Sequence, residues 1–188
     1  MSDEEPSPPT SDLASDFTRL LGDERAADAA KGRIRERHLR ESAAADATFL
    51  GTALDLAEQG ATVTVTTTTG RTVSGTIALV ATDTLVVAST YLPIRAVVAI
   101  RRLPGTRSGP ADGDRSAPRT SSFAVLVGEL ALMRPRVAVA VLGEPGLLAG
   151  ELRAAGTDVI TLRLDGEPPV VAYVSLGSVS ALTVLASG

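Results

Sequence analysis

Apolar residues recur along this chain in two different periods, and the periods alternate in an ordered way. Leu13, Phe17, Leu20 and Leu21 fall at i, i+4, i+7 and i+8 behind Ser11, the stripe of a helix with a hydroxyl N-cap. Residues 23–47 are Ala-rich and charged, with Glu36 and Arg40 spaced as a supporting i, i+4 pair, and they extend the expectation of a helical arm over 11–47. Phe49, Ala53, Leu56 and Ala57 make a second helical stripe that Gly60 is suited to stop. The period then drops to two: Val63 and Val65 point one way while Thr62, Thr64 and Thr66 point the other, the pattern of a half-buried strand. Gly70-Arg71 predicts a hairpin turn, and 73–80, 85–88 and 94–100 read as further short strands. From Phe123 the succession begins again with Phe123, Leu126, Val127 and Leu130, a helix that Pro135 forces to stop.

The two successions can be laid over each other. Phe49, Leu56, Ala57, Val63 and Val65 match Phe123, Leu130, Ala131, Val137 and Val139, and each pair is 74 positions apart. Gly75 and Asp83 then match Gly150 and Asp158 at an offset of 75, as a one-residue slip in the turn near Gly143 would produce. Tyr91, Ile94, Val97, Ile100 and Leu103 match Tyr173, Leu176, Val179, Leu182 and Leu185 at an offset of 82, the extra seven residues falling around 165–169. Three blocks in one order predict an internal duplication. One helix followed by about five short strands, within a unit of this size, is the pattern of a small bent barrel.

The expected organisation is therefore a disordered acidic and Pro-rich tail over 1–10, the arm over 11–47, a first barrel over 48–103, a flexible linker over 104–121 and a second barrel over 122–188. The fold class is α+β, mainly β, with two tandem small barrels each preceded by a helix. Units this small bury little surface, so they are expected to pack on each other or on the arm.

Composition narrows the chemistry. The 188 residues include no Cys and a single His, His38, which removes disulfides, thiol catalysis, Cys-bearing zinc sites and multi-His metal sites from consideration. Aromatics are 3% and Trp is absent, so the core is aliphatic. The net charge of -4 argues against a surface that binds anions throughout, while leaving room for a local basic patch. The most apolar stretch is interrupted by Glu129, Arg134, Arg136 and Glu144, which predicts no membrane span, and the acidic opening reads as no secretory signal. The expected compartment is the cytoplasm.

At Gly70-Arg71-Thr72-Val73-Ser74-Gly75-Thr76-Ile77, followed by Asp83 and by Ile94-Arg95-Ala96 with Val98 and Ile100, the first unit resembles the Sm-like fold, a five-strand SH3-like barrel behind a helix. The resemblance covers about 46–103, with a weaker copy over 122–185. It implies RNA-binding residues, but the carry-over is partial: Arg95 stands where the family has its Arg-Gly pair, Ala96 replaces the glycine, and Val86 and Val87 follow Asp83 where the family has Asn. The second unit has Gly177 in the place of Arg95. The whole chain is also similar to mostly uncharacterised two-repeat proteins of GC-rich bacteria, sometimes labelled Fis-type transcriptional regulators, although no helix-turn-helix is readable here.

No catalytic constellation emerges. His38 lies in a solvated Arg-rich helix, the only lysine, Lys31, is outside any phosphate-cradling loop, and Asp83 and Asp158 read as turn residues accepting backbone N–H bonds. The matched aromatics Phe49/Phe123 and Tyr91/Tyr173 read as core or shared structural contacts. No cofactor or metal is called for. Two functions remain in view: a non-catalytic binding or assembly module, with a protein partner or self-association through the arm, or weak sequence-independent RNA or DNA binding. The second would use Arg71, Arg95, Arg101 and Arg102 on the first barrel, with Arg33, Arg35, Arg37 and Arg40 on the arm.

Overall fold

In the computed structural model the described residues are 31–38, 42, 47–105 and 121–186. The tail over 1–10, most of the arm and the linker core over 106–120 lie outside them. The chain divides into two compact parts, Met1–Ala45 and Asp46–Gly188. In the first unit, 31–38 form helix α1, all of whose side chains are exposed.

In the second unit a helix and five strands occur, and then a helix and five strands again. The first set is α2 (Phe49–Glu58), β1 (Thr62–Thr67), β2 (Thr72–Val80), β3 (Thr84–Val87), β4 (Thr90–Pro93) and β5 (Val97–Arg102). The second is α3 (Phe123–Leu132), β6 (Arg136–Val141), β7 (Leu147–Ala155), β8 (Val159–Leu164), β9 (Val171–Ser175) and β10 (Val179–Val184). A 3₁₀ turn precedes the last strand of each set, at Ile94–Ala96 and Leu176–Ser178. The strand expected over 94–100 is thus corrected to a turn and a strand. Pro93, extended at φ -61° and without an N–H, ends β4, and the chain tightens before resuming at Val97.

Both helices start and stop for local reasons. Thr48 Oγ1 accepts from the Gly51 N–H at 2.9 Å and Ser122 Oγ from Val125 at 3.4 Å, satisfying one open donor at each N-terminus. At the end of α2, Gly60 turns to φ 60°, its N–H bonds Ala57 O, and the Ala61 N–H bonds Leu56 O, the full two-bond termination of a helix. At the end of α3 the same place is taken by Arg134 at φ 48°, whose N–H reaches Ala131 O at 3.1 Å. Pro135 follows with no N–H, so the second bond is impossible. The second helix therefore ends with a strained residue and half the hydrogen bonds.

All strand pairs are antiparallel, in one sheet of order β5-β1-β2-β3-β4-β10-β6-β7-β8-β9. The α+β class dominated by antiparallel sheet is as expected from the sequence. The halves do not close into separate barrels, because the far side of β4 is taken by β10 instead of by its own β5. Registers recur at matched positions: Val63 faces Gly75 and Val137 faces Gly150, while Val65 faces Ile100 and Val139 faces Leu182. Irregularities recur too, between Ile77 and Leu79 and between Leu152 and Ala154.

Gly150 is dictated by packing. A Cβ there would lie 2.1 Å from Arg163 O, so β7 and β8 can approach as they do only with hydrogen at that position. Two aliphatic cores result. Leu56, Val63, Val65, Leu85, Val87 and Leu92 centre the first; Val127, Val137, Val139, Leu152, Ile160 and Leu182 centre the second. Ala140 and Ala181, from the second half, belong to the first core.

Candidate interaction surface

The chemistry-bearing residues gather where the halves meet. Tyr91 faces Leu182 and Thr90 faces Thr183 across the β4·β10 pair, the two threonine hydroxyls 3.0 Å apart, and the Val184 N–H donates to Ser89 O at 3.0 Å. Half-buried Tyr91 packs against the second core. One strand away in sequence, Asp83 Oδ1 accepts from the Thr84 hydroxyl at 2.9 Å and from the Phe123 N–H at 2.8 Å, tying the first half to the start of α3. The carboxylate does accept a backbone N–H as the turn reading required, but from the other half of the molecule.

Arg95 completes this joint. Its guanidinium donates to the carbonyls of Leu176 and Gly177, the latter at 3.3 Å, and lies 6.0 Å from the centre of the Phe123 ring. Arg71 Nη2 donates to Pro145 O at 3.0 Å, and Thr69 Oγ1 meets Ser180 Oγ at 3.2 Å. Of the four arginines singled out from sequence, Arg71 and Arg95 are therefore engaged with backbone carbonyls of the second half. Arg101 and Arg102 lie apart from them on β5, an edge strand, with Arg101 exposed and donating to Thr66 Oγ1 at 3.4 Å. The four do not converge on one anion.

The ends of the sheet present the matched counterparts of this joint with little covering them. Phe123 is 2% exposed and Phe49 is 41% exposed. Tyr173, the counterpart of half-buried Tyr91, is 76% exposed, and Val98 is 61% exposed where its counterpart Ser180 is 1%. Of the matched aromatic pairs read as core or shared structural contacts, Phe123 is buried and Tyr91 packs half-buried against the second core, while Phe49 and Tyr173 are exposed and do not belong to the core. Asp158, counterpart of Asp83, is exposed, and Gly177 offers no side chain where Arg95 makes its contacts.

Other features carry less. An open cleft of about 550 Å³ near the end of α3 is lined by Arg134, Arg136, Arg163, Glu151, Asp165 and Glu167, whose opposite charges balance; Arg136 pairs with Asp165 at 2.7 Å. Among the described residues no group of three His, Asp or Glu side chains could hold a metal ion, and no helix is long and apolar enough to cross a membrane. The joint leaves little trace in the sequence: the alternation of Thr90 and Leu92 with Tyr91 is the one local signal of β4. No family model, curated protein or solved structure matches the chain.

Proposed function

We propose that the protein is a non-catalytic assembly module, two tandem five-strand units of the Sm-like, small-barrel type whose outer sheet edges join one copy to the next. The observation that carries this reading is the internal joint. Inside one chain, the fourth strand of the first unit pairs with the fifth strand of the second. The fourth strand of the second unit, β9, and the fifth strand of the first, β5, stand at the two ends of the sheet. Transferring the internal register places Tyr173 opposite Ile100 and Ala172 opposite Arg101 of a second copy. Edge strands with exposed apolar side chains are templates for pairing, and a contact between two different surfaces of one chain propagates head to tail into a ring or a filament.

The test is sedimentation velocity of the full chain over a concentration series. Concentration-dependent association is expected for the wild type and is expected to be lost in Tyr173→Glu, which places a charge at the centre of the transferred contact. A chain that stays monomeric throughout the series overturns the reading.

The alternative, nucleic-acid binding through the first unit and arm, draws support from the exposed Arg101 on an edge strand. It requires affinity for a random single-stranded RNA or DNA that falls steeply with salt and drops in Arg101→Ala/Arg102→Ala. The assembly reading requires neither.

A further inference from the structure

We infer that Gly177 sets the strength of the outer joint, keeping the contact between copies weaker than the contact within the chain; this rests on the assembly reading above. The internal joint has a clamp. Arg95 reaches across it with one guanidinium that donates to the Leu176 and Gly177 carbonyls and lies over the Phe123 ring, beside the β4·β10 pair with its hydroxyl contact between Thr90 and Thr183 and the Asp83 bond. A charge-assisted, two-acceptor contact of this kind is the strongest polar element such an interface contains.

At the outer edge the acceptors are present and the donor is missing. The counterparts of Leu176, Gly177 and Phe123 are Ile94, Arg95 and Phe49, so a second copy offers two carbonyls of the same 3₁₀ turn and an exposed ring. Asp158 stands where Asp83 stands, and Tyr173 where Tyr91 stands. The hydroxyl pair of Thr90 and Thr183 also has no equivalent there, Ala172 and Arg101 standing in its place, and at the position of the clamp the side chain is gone altogether. Backbone geometry does not demand this glycine. Its φ is not in the left-handed region, and the nearest neighbour of a Cβ built there is Ser175 Oγ at 3.4 Å, an ordinary contact.

Gly177 is thus a specificity-determining position, distinguishing a permanent joint inside the chain from a reversible one between chains. The inner joint also has its partners tethered, while the outer one must offset the full loss of translational and rotational freedom. A missing clamp on top of that difference leaves the outer contact responsive to protein concentration.

The experiment restores the missing group. In sedimentation velocity on the full chain, Gly177→Arg is expected to associate at a concentration about tenfold or more below the wild type, the scale of one charge-assisted hydrogen bond. Gly177→Ala, which adds a side chain without a guanidinium, is expected to behave as the wild type. Adding Phe49→Ala to Gly177→Arg is expected to reverse part of the gain, since the ring is one of the clamp's partners. If the wild type associates, Tyr173→Glu does not, and Gly177→Arg matches the wild type, the inference fails and the assembly reading stands. If neither the wild type nor Gly177→Arg associates at any concentration, both fail.

Discussion

The first and second halves place the same kinds of residue at matched positions and bury them differently. Phe123 is covered and Phe49 is open; Tyr91 is half-covered and Tyr173 stands in solvent; Ser180 is enclosed and Val98 is not. Tyr91 and Ser180 lie on β4 and β10, the strands that pair where the halves meet, while Tyr173 and Val98 lie on β9 and β5 at the two ends of the sheet. Burial here belongs to the neighbour and not to the residue. A residue's type and its place in the alternation of a strand tell which side of the strand it occupies, while the exposure that decides its energetic role is set by whatever lies across the next strand boundary.

The comparison is broken most severely at the glycines. Gly150→Ala is expected to destabilise the protein by about 3 kcal/mol, because a Cβ at 2.1 Å from Arg163 O forces β7 and β8 apart. The matched Gly75→Ala meets a side-chain carbon, Ala88 Cβ, at 3.2 Å and is expected to cost about 1 kcal/mol, part of it from the glycine-favoured φ of 156°. Urea denaturation of both variants checks the ranking; equal losses would mean that the halves tolerate the same change alike.

The tyrosines sharpen it next. Tyr91→Ala removes a ring packed against the second core and is expected to cost about 2 kcal/mol of stability. Tyr173→Ala, at a position open to solvent, is expected to stay within about 0.5 kcal/mol in dilute protein. Thermal melts read both, and a Tyr173→Ala melt shifted as far as that of Tyr91→Ala would contradict the assignment of inner and outer edges.

The smallest expected effect is at the helix ends. Arg134→Gly relieves a side chain held at φ 48° and is expected to stabilise by about 0.5–1 kcal/mol, whereas Gly60→Arg introduces the same strain in the first half and is expected to cost about 1 kcal/mol. Opposite signs at the two matched positions are the outcome to look for in denaturation curves.

Much of the local structure was legible because its causes are local. The Thr/Val alternation of β1, the caps at Thr48 and Ser122 and the stops at Gly60 and Pro135 depend only on residues a few positions away. The offsets of 74, 75 and 82 also located real correspondences of register, since Val63 with Gly75 and Val137 with Gly150 are paired as the offsets require. What was not legible depends on distant partners. Thr90–Pro93 is too short and too interrupted by Pro93 to show a period, and its pairing with β10 comes from the far end of the chain. The basic candidates failed to converge for the same reason. Arg71 and Arg95 read as surface charge, yet both donate to carbonyls of the second half, and no local feature of the sequence distinguishes such an arginine from Arg101, which donates within its own half.

The pairing of β4 with β10 also imposes a timetable. The hydroxyls of Thr90 and Thr183 that meet across it are 93 residues apart in the chain, so on a ribosome adding about 5–20 residues per second the first half waits some seconds for its neighbour. During that interval β4 is an open edge beside an unfinished core, and the partners that Tyr91, Asp83 and Arg95 take from the second half are not yet made. Of these ten strands the last to be made is the one that lies between the halves, pairing with β4 on one side and β6 on the other. Completion of the sheet is therefore a late, long-range event, and a nascent chain stalled before Val179 would present an unpaired β4 to any neighbour on the same message.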